Sequence, residues 1–508
     1  MNNQNKNNKR IFKNTILLYT RMLITMAIGF YTSRVVLDVL GVIDYGIYNV
    51  VGGIVAMLAT LYGPMASATQ RCLTFSLGKG DEIHTQKVFK TSITSQTIIA
   101  IILFIAIETI GIWYLKTHAI IPSNRMDIAF WVFQISTATM FLTILNVPFQ
   151  GAIIAHEKMG VFAAFTISDV TMKLIICYAL YNTTIDKLLL YALLLFATYL
   201  INFIGIQVYC FFKIKEAKFK FGWDKAILKE MWNLAFWSIF GNIAFIGYSQ
   251  GITLLINMFY GPALNTAAGI GGQATNLINQ FSSNFQTALN PQITKCYAAN
   301  ELENMHNLIY RSAKFSFFLM LVLAVPFFYE SHFILQIWLK EVPSHAVFFM
   351  RLGIFISMFS AIRNPLYIAA MANGNIKKFQ LITSSCMLLI CPIAYVIYKN
   401  NGIPETGTIV YLIILFITII VSAFLLKELI KLDFKEFVYN VIVRIIIITI
   451  VSFIPPFFIY HHLNEGWNRL FILSSVSCIF SIISILYWGM NKQERDFIFN
   501  LLKTKFLK

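Results

Sequence analysis

The sequence predicts an all-α polytopic membrane protein with about 14 transmembrane helices, arranged as two six-helix lobes followed by two terminal helices. Three observations predict this class. Of the 508 residues, 58% are hydrophobic and only 12% are charged, whereas soluble domains have roughly 45–50% apolar and about 25% charged residues. Apolar segments of bilayer-spanning length follow one another almost from end to end. The beginnings of the two lobes also resemble each other. A soluble globular enzyme is therefore excluded.

The predicted spans each approach or exceed the roughly 20 apolar residues that a helix needs to cross a bilayer. They cover residues 11–40, 48–69, 91–115, 128–154, 161–181, 188–212, 232–260, 263–290, 315–339, 347–371, 381–398, 409–426, 438–460 and 467–488. The connections between them are too short to form a separate soluble domain. The chain is therefore predicted to be one multi-pass membrane protein.

The spans predict four regions along the chain. Residues 1–213 form an N-terminal six-helix lobe, and residues 214–231 form a basic cytoplasmic linker. Residues 232–430 form the C-terminal six-helix lobe. Residues 431–508 contain the two additional transmembrane helices and a basic, amphipathic cytoplasmic tail.

Glycines mark corresponding positions in the two lobes. The first span ends at Gly41 and is followed by Gly52-Gly53, while the seventh ends at Gly261 and is followed by Gly271-Gly272. With six spans in each half, the repeats have the same orientation in the membrane. Many transporters are built from such repeats and hold their substrate between them, exposing it alternately to each side.

The basic residues predict the topology. With a cytoplasmic N-terminus, 28 of the 40 Lys and Arg residues fall in cytoplasmic segments, 6 on the opposite side and 6 within spans. Because cytoplasmic segments of membrane proteins are enriched in Lys and Arg, both termini are predicted to be cytoplasmic. The net charge of +17 is thus explained by membrane topology, and no nucleic-acid partner is expected.

The eighth span carries a polar stripe. Its members recur every three or four residues and so lie on one helical face: Gln273, Asn276, Gln280, Ser283, Thr287 and Asn290. Unpaired amides facing lipid are costly, so the stripe must face protein or a water-filled cavity. It is interpreted as a substrate-binding surface, with interhelical hydrogen bonding as the alternative.

Arginines within the spans indicate an anionic substrate. Arg21 lies near mid-membrane in the first span, and Arg363 lies deep in the tenth, just before a proline that frees helix carbonyls. A guanidinium pairs with phosphate oxygens and stays charged at cellular pH. Arg34, near the outer end of its span, is a further candidate, although an arginine there can also extend to the interface.

Asp169 and Lys173 lie one turn apart in the fifth span and are expected to pair. The pair is either structural or a coupling element that exchanges partners during transport. The seven cysteines are odd in number and form no Cys-x-x-Cys pair, so neither a metal site nor a disulfide framework is expected. No cofactor is predicted.

Three stretches resemble a known family. They are the Leu-Tyr-Thr-Arg-Met-Leu run at residues 18–23, the Leu-Gly-x-x-Asp-Tyr-Gly motif at residues 40–46 and the Asn-Val-Pro-Phe-Gln-Gly run at residues 146–151. They resemble the Wzx-type polysaccharide flippases, the polysaccharide-exporter branch of the multidrug/oligosaccharidyl-lipid/polysaccharide (MOP) flippase superfamily. The resemblance covers essentially the whole chain in length and span count.

The resemblance implies a MATE-like, V-shaped pair of lobes around a central cavity. It implies alternating-access transport of undecaprenyl-pyrophosphate-linked oligosaccharide from the cytoplasmic to the periplasmic leaflet of the bacterial inner membrane. The product would feed O-antigen (lipopolysaccharide), capsule or exopolysaccharide synthesis. The pyrophosphate would meet the arginines and the sugars the polar stripe.

The resemblance also implies partners and an energy source. Besides the lipid-linked oligosaccharide and membrane lipids, polysaccharide synthesis or polymerase proteins are expected partners. Coupling to H⁺ or Na⁺ is common in the superfamily, and Asp169 is the candidate carboxylate.

Two other functions compete. A MATE-type ion-coupled multidrug antiporter would need carboxylates to bind cationic cargo, whereas the deep charges here favour arginine. A membrane-embedded glycan polymerase would carry a long extramembrane loop with acid and base groups, and the longest connections contain no such constellation. No phosphate-binding glycine loop with its lysine occurs, so ATP hydrolysis is not expected. A transporter, not an enzyme, is therefore predicted.

Overall fold

The computed structural model describes residues 2–59, 62–117, 121–183, 186–217, 221–338, 342–491 and 494–496. All regular elements in these ranges are helical. The α-helices are α1 (Asn2–Ala59), α2 (Gly63–Lys79), α3 (Glu82–Ala106), α4 (Ile112–Thr117), α5 (Met126–Ala155), α6 (Met159–Ala179), α7 (Lys187–Lys213), α8 (Lys225–Tyr260), α9 (Pro262–Ala298), α10 (Leu302–Tyr329), α11 (Ser331–Trp338), α12 (Ala346–Asn373), α13 (Lys377–Leu388), α14 (Ile390–Lys399), α15 (Thr406–Ile430), α16 (Phe434–Phe437), α17 (Arg444–His462) and α18 (Trp467–Ser484).

Three π-helical segments interrupt this order. They are π1 (Ile107–Gly111), π2 (Val438–Val443) and π3 (Ile485–Gly489). Short 3₁₀ turns at Ser123–Arg125 and Leu180–Asn182 complete the helical elements.

The chain forms two compact units. The first unit comprises Met1–Ile239 and Thr294–Asn300, and the second comprises Phe240–Ile293 and Glu301–Lys508. The predicted lobe limits at residues 213 and 232 stay a prediction. The C-terminal tail from residue 497 onward lies outside the described residues.

In the first unit, α1, α3, α5, α6 and α7 pack around one apolar core. Large side chains such as Phe133, Ile144 and Leu188 are fully buried in it. The carboxylate of Asp186 begins α7 by accepting hydrogen bonds of 3.1 Å from the backbone N–H groups of Leu188 and Leu189. A side-chain cap of this kind satisfies donors that a helix N-terminus otherwise leaves unpaired.

In the second unit, α10, α12 and α15 pack together, and α17 and α18 pack on α10. The guanidinium of Arg469, on α18, donates hydrogen bonds of 2.8 and 3.0 Å to the two carboxylate oxygens of Glu330. Both side chains are buried. This bidentate pair fixes one end of α18 to the end of α10.

Two glycines interrupt the helical backbone where the sequence predicted a span to end. Gly41 has φ 75° and ψ 170°, which kinks the long helix α1, and Gly261 has φ 82° between α8 and α9. A positive φ of this size is accessible to glycine without the steric cost that a side chain adds. The first and seventh predicted spans therefore end for the same physical reason.

Eleven helical segments in the described part of the chain are long and apolar enough to cross a membrane. They correspond to eleven of the predicted spans, and the other three predicted spans fall on α1, α2 and α9. Large apolar side chains such as Ile101, Ile102 and Ile105 point away from the protein interior on α3. The prediction of an all-α, multi-pass membrane protein is confirmed, and the count of 14 stays a prediction.

Candidate functional site

A cavity of about 270 Å³ lies within the first unit. Helices α1, α5, α6 and α7 form its walls. Its polar lining residues are Arg21, Thr143, Asn146, Gln150, Thr166, Asp169, Tyr199 and Asn202, and its apolar lining residues are Leu142, Ile153, Phe162, Phe165, Phe203 and Ile206. The cavity combines charges, amides, hydroxyls and aromatic rings within an otherwise apolar helical unit.

Arg21 is the cation of this cavity. The neighbouring side chains of Leu18 and Met22 are buried at 0% and 2% exposure. They fix the face of α1 from which Arg21 projects. The guanidinium carbon of Arg21 lies 5.0 Å from the centroid of the Phe162 ring on α6. A guanidinium placed over an aromatic face is stabilised electrostatically and is held in one orientation.

Asp169 and Lys173 form the predicted pair. The ammonium of Lys173 donates hydrogen bonds of 2.7 Å to Asp169 Oδ2 and 3.3 Å to the Tyr199 hydroxyl. The other carboxylate oxygen, Asp169 Oδ1, is buried and has no hydrogen-bond partner among the described residues. Asp169 therefore lines the cavity with one oxygen engaged and one oxygen available to a further donor.

Charged and neutral polar groups line the cavity together. Asp169 is paired with Lys173, and Arg21 places a guanidinium in the same lining. Around it, the side chains of Asn146, Gln150 and Asn202 offer both donors and acceptors. Such a lining can hold an anionic group together with neighbouring hydroxyls, and the aromatic rings offer flat apolar faces.

The predicted polar stripe lies on α9, in the second unit. Asn276, Gln280 and Ser283 are exposed, and Thr287 and Asn290 are half-buried. The side chains of Gln273 and Arg34 lie outside the described residues. Because amides exposed to lipid would be costly, the exposed residues of the stripe are expected to face water.

Five further polar residues of α9, which the sequence pattern does not single out, are buried. They are Thr275, Ser282, Asn284, Gln286 and Gln292. The side chain of Asn284 donates a hydrogen bond of 2.7 Å to the backbone carbonyl of Gln280. Some polar side chains of this helix are thus buried in the protein, and others are exposed.

Arg363 is half-buried on α12, in the second unit. Its Nε has no hydrogen-bond partner among the residues that the structure describes. Arg363 is close enough to Tyr248, on α8, to interact with it electrostatically. Since Arg21 belongs to the first unit, the assignment of both arginines to one cavity stays a prediction.

The expectation that Pro365 leaves a free carbonyl is wrong at Ala361, four residues earlier. The Nε2 of Gln286 donates a hydrogen bond of 2.7 Å to the Ala361 carbonyl oxygen. A side chain from α9 thus takes the place of the backbone N–H that proline lacks.

Comparison with known proteins agrees with this architecture. Residues 238–396 match the family model MatE. A crystal structure of a MATE mutant covers 84% of this chain and 97% of its own, with a TM-score of 0.71 at 13% identity. The fold is similar to that of MATE transporters.

Two further solved structures have the same fold. One is an outward-facing multidrug resistance MATE family transporter of the MOP superfamily, with a TM-score of 0.68 at 14% identity, covering 84% of this chain and 96% of its own. The other is a MOP superfamily transporter from Pyrococcus furiosus, described as having a binding pocket of reverse polarity, with a TM-score of 0.66 at 13% identity and the same coverage. No curated protein matches the chain.

Within this MATE-like fold, the sequence identified only part of the cavity. Arg21 and Asp169 were singled out because charges within apolar spans are conspicuous. Asn146, Gln150 and Asn202 were missed, because uncharged polar residues in otherwise apolar spans are common at helix interfaces. Only the packing of α5 and α7 against α1 brings them beside Arg21.

Proposed function

We propose that this chain is a flippase that moves a lipid-linked oligosaccharide across the membrane by alternating access. The observation that supports this cargo is Arg21, which places a guanidinium in the cavity of the first unit among amides and hydroxyls. The similarity to the MATE fold supports transport as the general activity. The undecaprenyl-pyrophosphate carrier follows from the resemblance to Wzx-type flippases.

The chemistry of the cavity suits the polar part of such a cargo. A guanidinium can hold two phosphate oxygens at once, so Arg21 would bind the pyrophosphate. The side chains of Asn146, Gln150 and Asn202 would bind sugar hydroxyls, and Phe165 and Phe203 would pack on the apolar faces of sugar rings. The polyprenyl tail would remain in the bilayer.

The second unit would contribute further contacts during the transport cycle. We assign Arg363 and the α9 stripe, from Gln273 to Asn290, to cargo binding in this role. Arg34 is assigned to the same role near the outer end of its span. The proposed movement runs from the cytoplasmic to the periplasmic leaflet of the bacterial inner membrane, with both termini cytoplasmic. Polysaccharide synthesis or polymerase proteins would be the partners that supply or use the cargo.

Coupling to H⁺ or Na⁺ is proposed at Asp169. Its Oδ1 is buried without a hydrogen-bond partner in the described part of the chain, and its Oδ2 is held by Lys173. A carboxylate in this state can accept a proton or a cation at Oδ1. Lys173 would then release the Oδ2 atom. No organic cofactor is needed for this cycle.

A MATE-type multidrug antiporter is the second candidate. The MatE match over residues 238–396 and the presence of Asp169 in the cavity favour it. A cationic drug, however, would have to bind beside the positive charge of Arg21, whereas an anionic cargo would be attracted to it.

The first test is the location of lipid-linked oligosaccharide after depletion of the protein. A lectin or glycosidase that cannot cross the inner membrane reports how much of this lipid has reached the periplasmic leaflet. Accumulation on the cytoplasmic leaflet, reversed by re-expression, is the expected result. If the lipid-linked oligosaccharide reached the periplasmic leaflet normally in a strain without a redundant exporter, the proposal would be refuted and the antiporter would be favoured.

The variant Arg21→Gln should fail to reverse the accumulation. Arg21→Lys should reverse it in part, because lysine keeps the positive charge but cannot bind two phosphate oxygens in the way that a guanidinium does. The control is Lys87→Gln, which removes an exposed positive charge outside the cavity. Membrane levels of all variants are measured in the same cells, so that loss of transport is separated from loss of protein.

A further inference from the structure

A second cavity, of about 710 Å³, lies in the second unit where π2 and α17 meet π3. It is lined by Tyr439, Val443, Arg444, Ile447, Val451, Trp488, Met490 and Asn491. Nothing in the proposed transport cycle uses these residues. They lie on the two helices beyond the six-helix repeats, and the predicted topology places this end at the cytoplasmic face.

Several basic side chains lie beside this cavity. Glu494 pairs with Lys314 at 2.8 Å and with Arg311 at 3.3 Å. Arg444 is close enough to act electrostatically on Lys314, but among the described residues no salt bridge reaches Arg444. Two cations therefore share the Glu494 carboxylate, and Arg444 is a third cation nearby. Because the side chains of Lys314 and Glu494 are 3% and 5% exposed, water screens their charges poorly.

The walls of the cavity match the two parts of a phospholipid. Tyr439 and Trp488 are 66% and 59% exposed, and these amphipathic aromatic residues favour the level of lipid headgroups. Val443, Ile447 and Val451 follow at spacings of four residues, so they form one apolar face of the helix. The polar groups of Arg444 and Asn491 lie with the aromatic rings, whereas the apolar face continues along α17.

The backbone around the cavity is unusual on both sides. Tyr439 and Val443 belong to π2, Arg444 follows it directly, and Trp488 belongs to π3. π-Helical turns are rare and occur often at functional sites. Here two π-helical segments, π2 and π3, supply residues to the same cavity, including both of its aromatic rings.

From this geometry we infer that the cavity formed by π2, α17 and π3 binds an anionic glycerophospholipid of the surrounding leaflet, with its phosphate on Arg444 and an acyl chain along Val443, Ile447 and Val451. The phosphate supplies a counter-ion for Arg444, whereas Arg311 and Lys314 are paired with Glu494. The site is distinct from the cavity of the first unit, and the inference does not depend on the cargo proposed above.

The experiment uses the full chain, purified in a neutral detergent and stripped of lipid. Phosphatidylglycerol and phosphatidylcholine with identical acyl chains are titrated, and binding is measured by native mass spectrometry. Phosphatidylglycerol should bind more tightly. Arg444→Gln should weaken its binding by roughly tenfold, the effect of losing one charged hydrogen bond, and should leave phosphatidylcholine unchanged. Arg444→Lys should retain most of the preference.

Control variants separate this site from general surface charge. Lys435→Gln removes an exposed positive charge on α16, near the site but outside the lining, and should not change binding. Trp488→Leu should weaken binding of both lipids. The thermal midpoint of each variant without lipid shows whether it is folded.

Three results would overturn the inference. One is equal binding of the two phospholipids, and another is an unchanged preference in folded Arg444→Gln. The third is Arg444-dependent binding of a polyprenyl phosphate or of inorganic phosphate in the absence of binding to phosphatidylglycerol. That result would assign the site to the cargo or to a free anion.

Discussion

Gln286, on α9, donates a hydrogen bond of 2.7 Å from its side chain to the carbonyl oxygen of Ala361, on α12. Ala361 lies four residues before Pro365, so this carbonyl lacks the helical N–H that would otherwise bind it. The exposed fraction of Gln286 is only 5%, and water is therefore not an alternative partner. One buried amide thus compensates for one proline and joins two helices of the second unit.

Gln286→Leu should destabilise the second unit, because it leaves the Ala361 carbonyl buried without a donor. The expected loss is about 1–3 kcal/mol in the free energy of unfolding. In a Pro365→Ala background the helix can supply its own N–H, so the same change should cost clearly less. Unfolding in mixed micelles measures all four proteins, and equal costs in both backgrounds would refute the assigned role.

Gly271 and Gly272 provide a matched pair of substitutions. A Cβ atom at Gly271 would lie 2.8 Å from the backbone nitrogen of Met350, whereas one at Gly272 would have no neighbour within 4 Å. Backbone atoms cannot move aside cheaply. Gly271→Ala should therefore lower stability by about 1–3 kcal/mol, while Gly272→Ala should be neutral or gain up to about 1 kcal/mol from helix propensity.

The thermal midpoints of Gly271→Ala and Gly272→Ala, measured in detergent, test this prediction. Relative to wild type, the two midpoints should change in opposite directions or differ from each other by several degrees. A Gly271→Ala protein as stable as Gly272→Ala would show that α9 and α12 do not approach so closely.

Glu216 should make the first unit sensitive to acid. Burial alone would raise the pKa of Glu216, but its hydrogen bond with His156 and the nearby Lys158 ammonium outweigh burial and hold the pKa below the ordinary 4.5. A carboxylate with a lowered pKa stabilises the folded state fully above the unfolded pKa, and this stabilisation is lost as the pH falls through the folded pKa.

The measurement compares wild type with Glu216→Gln across pH. The wild-type protein should have the higher thermal midpoint above about pH 5, and the difference should shrink below about pH 4.5. Glu303→Gln, which changes an exposed carboxylate on α10, should leave the pH profile unchanged. A constant difference down to about pH 3 would contradict the lowered pKa.

The sequence predicted those features that depend on local chemistry. The breaks at Gly41 and Gly261 follow from a positive φ, and the pair of Asp169 and Lys173 follows from one-turn spacing. Eleven spans follow from length and hydropathy alone. Each of these can be inferred from a few neighbouring residues.

Features that join distant segments could not be predicted. Asn146 and Asn202 line the same cavity as Arg21 only because α5, α7 and α1 pack together, and nothing local distinguishes these amides from interhelical hydrogen-bonding groups. Gln286 lies 75 residues from the carbonyl it satisfies. The π-helical segments π2 and π3 also have no local sequence signal.

The last prediction concerns whether Asp169 and Lys173 form a structural pair. Lys173→Met would leave the half-buried Asp169 carboxylate, 23% exposed, without its counter-ion. Removing one member of a fully buried pair typically costs about 3–5 kcal/mol, so a smaller loss is expected here, whereas replacing both members often costs little. Lys173→Met should therefore lower the thermal midpoint clearly, and Asp169→Asn combined with Lys173→Met should recover most of it.

A transport assay then distinguishes a structural role of the Asp169–Lys173 pair from a role in ion coupling. If Asp169 carries the coupling ion, the folded double variant should lose export that depends on a proton or sodium gradient, although its stability has returned. Export at the wild-type rate in the double variant would leave the pair a structural role only, because neither member would then be needed to bind an ion. Thr171→Ala, an exposed position on the same helix, controls for changes in α6 that do not involve the pair.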